Sequence, residues 1–215
     1  LVMMGPEMLR EATLSGATVI PLDSEHNAAL QCLPGPFRDE QFIFATNSST
    51  SRLEKHGIEK LILTASGGPF LNIPTEELEN VTPDQAAAHP KWDMGKKISI
   101  DSATMMNKGL ELIEACALFS IEPSRVEIVV HPQSIVHSLV EYGDGSLLAQ
   151  MASPDMRIPI ANALGYPDRI TSGSERLDIG QLGVLEFMEP DERHFPCLRL
   201  AREVAETGGI APVIL

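Results

Sequence analysis

Residues 98–119, ISIDSATMMNKGLELIEACALF, constrain the fold more than any other stretch of the chain. The β-branched start predicts a short strand from Ile98 to Ile100. Asp101 and Ser102 then break it, both being good helix N-caps. A helix is expected from Ala103 to Phe119, with Leu110, Ile113 and Ala117 recurring at helical spacing as its buried stripe. Asn107 lies four residues before Glu111 and Lys108 three before it, so the helix brings an amide, an ammonium and a carboxylate together. Unpaired N–H groups at a helix start favour an anion, and the combination suits a phosphate held next to a metal. A capped amphipathic helix with surface ion pairs is the other reading.

The flanking segments alternate helix and strand, an α/β rhythm. Residues 6–15 predict a helix between Pro6 and Gly16, and Ala17–Leu22 a strand. The strand leads into Asp23, Ser24, Glu25, His26 and Asn27, the densest polar cluster in the chain. Two carboxylates at a strand's end suit a hard cation such as magnesium or manganese. The same residues also suit an N-cap for the helix containing Ala28, Ala29 and Leu30. No HExxH pattern or cysteine pair points to structural zinc.

Residues 34–57 read as a connection, and Ile58–Thr64 as a strand running into Ser66-Gly67-Gly68. That turn either offers the Ser66 hydroxyl to a phosphate or is a plain reversal; it matches neither GxGxxG nor a Walker loop. Short helices are expected over Thr75–Glu79 and after Thr82. His89, Trp92 and Met94 fall in a segment with Pro90 and Gly95, where the tryptophan is either a core anchor or part of a lid. Lys96 and Lys97 are expected to face solvent. Arg125–Val130 predicts a strand ending at His131, a candidate site residue. Ile135–Val140 continues as strand with His137 as a sheet residue, and Asp144-Gly145 turns the chain into Ser146–Gln150. The glycines and prolines of residues 158–185 suggest a linker, and Cys197–Glu206 a helix.

Of the 215 residues, 43% are hydrophobic, enough for a real core. With 16 Lys plus Arg against 30 Asp plus Glu, the formal charge of −14 disfavours nucleic acid and anionic membranes as partners. An anionic substrate would need local positive groups, which a bound divalent cation supplies in part. Cys32, Cys116 and Cys197 are too scattered for a disulfide framework, which favours a reducing compartment. No apolar run reaches membrane-spanning length, and no signal peptide is seen. Both ends, LVMMG and GGIAPVIL, read as cut within a longer chain.

PLDSEHNA at 21–28, LTASGGPF at 63–70, HPKWDMGKKISIDSATMMNKGLELIEA at 89–115, HPQSIVHS at 131–138 and PDMRIPIANAL at 154–164 together resemble the 1-deoxy-D-xylulose 5-phosphate reductoisomerases. The resemblance runs along the whole chain but covers roughly half of the family's length, without its amino-terminal nucleotide-binding sheet and most of its carboxy-terminal helical domain. It implies an α/β (α+β-like) central domain, with a mixed, mostly four-stranded sheet and helices on one side. Residues 1–22 would end a Rossmann-like NADPH-binding domain. Residues 23–157 would form the catalytic domain, 158–185 the linker and 186–215 the start of the helical domain.

The implied reaction is the isomerisation of a phosphorylated keto-sugar and its reduction by NADPH to 2-C-methyl-D-erythritol 4-phosphate, with Mg2+ or Mn2+. The resemblance implies Asp23, Glu25 and Glu111 as metal ligands, and these with Lys108 and His131 as the catalytic set. Ser66, Ser102, Asn107 and Lys108 would surround the phosphate or adjoining hydroxyls, and Ser24 the carbonyl end. His89, Trp92 and Met94 would form a lid over the substrate, with Gly95 and Met156 towards the cofactor. A cytoplasmic homodimer of bacterial type is implied, a plastid location being the alternative. These 215 residues alone are expected to be inactive. The competing classes are another metal-dependent phosphosugar enzyme and a non-catalytic sheet and helix module for assembly.

Overall fold

The computed structural model describes residues 1–41, 52–88 and 95–215. Helix α1 (Gly5–Ser15) carries Pro6 in its first turn and stops at Gly16, whose φ of 69° returns its N–H to the carbonyls of Ala12 and Thr13. Residues 17–22 belong to no helix or strand, and no strand pairs with them among the described residues, so the strand expected there does not form. Helix α2 (Ser24–Cys32) starts at Asp23, whose carboxylate accepts the Glu25 N–H at 3.1 Å. Helices α3 (Gly35–Gln41) and α4 (Arg52–Lys55) lead to strand β1 (Ile58–Ala65).

Strand β1 runs into the Ser66-Gly67-Gly68 turn, where Gly67 and Gly68 have φ of 83° and 65°. A Cβ on Gly68 would lie 2.6 Å from the Ser102 carbonyl oxygen, so only glycine permits this approach. A 3-10 turn (Thr75–Asn80) and helix α5 (Pro83–Ala87), closed by a Thr82–Gln85 capping box, follow.

Ile98–Ile100 is not a strand; it lies within helix α6 (Lys96–Ala103). Buried Ser99 and Ala103 are four apart and form its inner face, whereas Ile98 and Ile100 are 38% and 39% exposed. That packing outweighs the weak β preference of two isoleucines. The chain then reverses at Met105, buried with φ of 57°, before helix α7 (Met106–Phe119). The segment is thus two helices about a left-handed hinge, and Ser102 sits in the last turn of α6 instead of capping α7. The buried face of α7 carries Lys108, Glu111, Leu112, Ala115 and Leu118; of the expected stripe, Ile113 is buried and Leu110 and Ala117 are half-buried.

Strands β2 (Val126–Val130), β3 (Val136–Tyr142) and β4 (Leu147–Met151) complete a mixed sheet of order β2-β1-β3-β4. β1 and β2 are parallel and the other pairs antiparallel. Asp144-Gly145 makes the β3–β4 turn, with Gly145 at φ of 84°. Leu61, Leu63, Val126, Ile128 and Val140 form the core with Leu30, Leu112, Leu118 and Phe119. Register puts Ile62, Leu139 and Ala149 on the opposite face.

The expected linker begins instead as helix α8 (Arg157–Gly165), which packs on α2, with Asn27 Nδ2 donating to Asn162 Oδ1 at 3.1 Å. Pro159 falls in its first turn, where the missing N–H costs nothing. Helix α9 (Ile179–Leu182) precedes an antiparallel bridge from Met188 to Val130. Helix α10 (Pro196–Thr207) packs along α7, and α11 (Ala211–Ile214) follows.

Candidate active site

The ends of several elements meet around a cavity of about 280 Å³. Asp23, Ser24 and Glu25 reach it from the start of α2, Ser66 from the turn after β1, and Ser102 from the end of α6. Asn107, Lys108 and Glu111 enter from the first turns of α7. Its N-cap, Met105, makes no side-chain cap, and Thr104 Oγ1 accepts the Met106 N–H at 3.3 Å, so the following backbone N–H groups at its start lie beside two side-chain donors.

Lys108 is the hub of the polar contacts. Its Nζ lies 3.2 Å from Glu25 Oε1 and 2.5 Å from Glu111 Oε2. Asn107 Nδ2 donates to the other Glu111 oxygen at 2.5 Å, and Ser24 Oγ to Glu25 Oε2 at 2.6 Å. The side chains of Lys108 and Glu111 are 5% and 3% exposed, whereas Asp23 is 36% exposed. One carboxylate oxygen each from Asp23, Glu25 and Glu111 lies within 4.8 Å of the other two.

Three acids beside one ammonium shift one another. Burial, then repulsion from Glu25, lifts the Asp23 carboxyl from 3.8 to about 6. Burial would also lift Glu25, but Lys108 and then His137 hold it down at about 2. Burial and the charges of Asp23 and Glu25 keep Glu111 well above the usual carboxylate range. Burial opposes the charge on Lys108, yet Glu111 and Glu25 raise its affinity for a proton. A bound cation would favour the ionised form of all three acids. Its hard oxygen donors and its excess of carboxylates over ammonium fit magnesium or manganese.

Residues not singled out from the sequence also serve the cavity. His137 lines it because the β3–β4 register slips between Val136 and Ser138, taking the histidine out of strand alternation. Burial keeps its imidazole below the ordinary value. Thr64, Met105 and Ser134 line the wall. His26 lies beneath it, buried, with Nε2 2.9 Å from the Glu111 main-chain oxygen. A carbonyl only accepts, so Nε2 carries the proton.

The remaining candidates divide. Met156 lines the cavity, but Gly95 does not and instead precedes α6 as its N-cap. His131 is fully buried outside the cavity lining; its Nδ1 donates to the Glu186 carbonyl at 2.8 Å and its ring stacks on Phe187 at 4.6 Å. His89, Trp92 and Met94 lie outside the described residues.

Two family models match the chain: the 1-deoxy-D-xylulose 5-phosphate reductoisomerase C-terminal domain over residues 19–119 and the DXP reductoisomerase C-terminal domain over residues 151–215. A 1-deoxy-D-xylulose 5-phosphate reductoisomerase of Pseudomonas syringae pv. tomato is 57% identical over the whole chain, which covers 51% of that protein. A crystal structure of DOX-P reductoisomerase in complex with NADPH, fosmidomycin and magnesium superposes with a TM-score of 0.90 at 52% identity, covering 97% of this chain and 49% of that one. The enzyme from Zymomonas mobilis in complex with NADPH superposes with a TM-score of 0.85 at 46% identity, covering 100% of this chain and 51% of its own. The chain thus spans about half the length of the relatives it matches.

Proposed function

The chain belongs to the 1-deoxy-D-xylulose 5-phosphate reductoisomerase family, and we propose that it supplies the metal- and substrate-binding part of such an enzyme. The longer protein would convert 1-deoxy-D-xylulose 5-phosphate to 2-C-methyl-D-erythritol 4-phosphate with NADPH. The observation that carries this reading is the meeting of Asp23 and Glu25 from one segment with Glu111 from another, beside Ser66, Ser102, Asn107 and Lys108 in one cavity. Carboxylates without a neighbouring anion grip would fit a structural cation equally well.

Asp23, Glu25 and Glu111 would hold the divalent ion, which when bound supplies Lewis acidity to the ketone oxygen and an adjacent hydroxyl. Ser66, Ser102, Asn107 and Lys108 would grip the phosphate away from the reacting carbons, turning its binding energy into orientation. Ser24 is assigned to the carbonyl end and His137 to the wall facing it. NADPH would supply the hydride, and Met156, which lines the cavity, is assigned to the cofactor's side.

The proposed catalytic unit runs from Asp23 through the end of α8, because α8 packs on α2. The outer face of the sheet, with Ile62, Leu139 and Ala149, is the proposed surface between two copies of a cytoplasmic homodimer.

The test is NADPH oxidation by the full-length protein with 1-deoxy-D-xylulose 5-phosphate and Mg2+ or Mn2+. Turnover should require the metal and fall by more than about a hundredfold in Glu111→Gln, beyond the loss of an outer-shell partner. The 215-residue chain alone should give none. Wild-type turnover of a different phosphosugar, or undiminished activity in Glu111→Gln, would overturn the assignment.

A further inference from the structure

The ammonium of Lys108 occupies the charge centre of the carboxylate cluster. It contacts Glu25 and Glu111, two of the three acids assigned above to a divalent ion, at 3.2 and 2.5 Å. An ammonium and a divalent ion cannot share those oxygens without strong repulsion in a buried setting. Lys108 is 5% exposed at its side chain, and the space it opens onto is the same cavity that holds Ser66, Ser102 and Asn107. Its flexible four-carbon stem lets the ammonium turn while the helix stays in place.

We propose that Lys108 is a placeholder cation: the metal displaces its ammonium from Glu25 and Glu111 into the cavity, where it becomes available to the substrate phosphate. Metal and phosphate binding are thereby coupled through one side chain. Before loading, two carboxylates compete with the phosphate for Lys108; afterwards that competition is gone. Linkage makes the effect reciprocal, so an occupied phosphate subsite must also tighten metal binding. The inference deepens the proposed function and rests on its assignment of the carboxylates.

The experiment uses the full-length protein without NADPH. Mn2+ affinity is measured by electron paramagnetic resonance, with and without methylphosphonate, in wild type, Lys108→Gln and Glu111→Gln, correcting for Mn2+ complexed by free methylphosphonate. Lys108→Gln should bind Mn2+ about tenfold more tightly, because no buried cation must leave. Methylphosphonate should tighten Mn2+ about fivefold in wild type, a typical coupling factor, and by a clearly smaller factor in Lys108→Gln. Independently of any variant, amine-directed labelling of wild-type Lys108, read by mass spectrometry, should be slow without metal, faster with Mn2+ and slow again with Mn2+ plus methylphosphonate. A folded Lys108→Gln that binds Mn2+ no more tightly, or labelling that Mn2+ does not change, would overturn the placeholder role alone. Absence of stoichiometric Mn2+ binding in wild type, or its persistence in Glu111→Gln, would overturn the metal assignment and the coupling with it.

Discussion

His26 Nε2 donates to the main-chain carbonyl oxygen of Glu111 across 2.9 Å, joining the helix that starts at Asp23 to the helix that carries the third carboxylate. The ring is buried, and its other nitrogen lies 3.8 Å from carboxylate oxygens of both Asp23 and Glu114. One imidazole thus sets the separation of two segments that are distant in sequence. Replacing it with leucine removes this buried hydrogen bond while the Glu111 carbonyl keeps its bond within α7, and should cost about 0.5–1.5 kcal/mol. Mn2+ affinity should fall as well. Chemical denaturation and Mn2+ titration of His26→Leu measure the two losses; destabilisation with unchanged Mn2+ affinity would remove the positioning role.

The elevated Asp23 carboxyl makes a pH-dependent prediction. Metal binding needs the ionised form, so protons compete below about 6, the value to which burial lifts this acid. Mn2+ affinity should fall by up to about tenfold per pH unit below that point through Asp23, with Glu111, also held above the usual carboxylate range, adding to the competition. The sign for the metal-free protein is opposite to that of a salt-bridged acid. The folded state holds the Asp23 proton more tightly than the unfolded chain, so this group costs stability as pH rises from 3.8 to about 6. Asp23→Asn should abolish both trends at this site. Mn2+ titrations and thermal melts across pH 4–8 would reveal whether they persist.

Much of this site was legible because its chemistry depends on short spacings. Asp23 and Glu25 stand two apart at a helix start, while Asn107, Lys108 and Glu111 need only helical geometry to converge. The strands β1 and β2 and the Asp144-Gly145 hairpin likewise follow local pattern. What was misread depended on distant contacts. Ile98 and Ile100 favour a strand locally, but burial of Ser99 and Ala103 makes a helix. Leu110 and Ala117 mark an apolar stripe, yet α7 buries its charged pair because Glu25 lies opposite Lys108. His137 enters the cavity through a register slip between two strands, a feature that no residue spacing encodes. His131 shows the converse: a polar motif at a strand end proved to be a packing element under Phe187.

Gly68 connects backbone conformation to the phosphate grip. Its φ is 65°, and an added Cβ would meet the Ser102 carbonyl oxygen at 2.6 Å and the Ala103 Cα at 2.9 Å. Neither is a flexible side-chain end, so the turn and α6 must separate. Gly68→Ala should destabilise the protein by about 1–3 kcal/mol through strain. Because Ser66 and Ser102 flank this contact, KM for the phosphorylated substrate should rise more than kcat falls. Denaturation together with steady-state kinetics of the full-length variant tests both effects.

Helix α10 packs against α7 at Gly109, one residue from the Lys108 ammonium's own backbone. Gly109 follows Lys108 directly, and a Cβ there would stand 2.6 Å from the Ala201 Cβ and 3.4 Å from the Cys197 carbonyl oxygen. Helices α7 and α10 therefore approach as closely as these two small residues permit, and a methyl group must push them apart. Gly109→Ala should cost about 1–3 kcal/mol, the usual range for overpacking, even though alanine favours a helix more than glycine does. Ala201→Gly should lose a smaller amount by itself. Combined with Gly109→Ala, it should recover stability, because the added methyl then occupies the space vacated on the partner helix. A coupling energy of about 1 kcal/mol or more in the double-mutant cycle is expected for directly contacting residues. Simple additivity would mean that the cost arises elsewhere on α7.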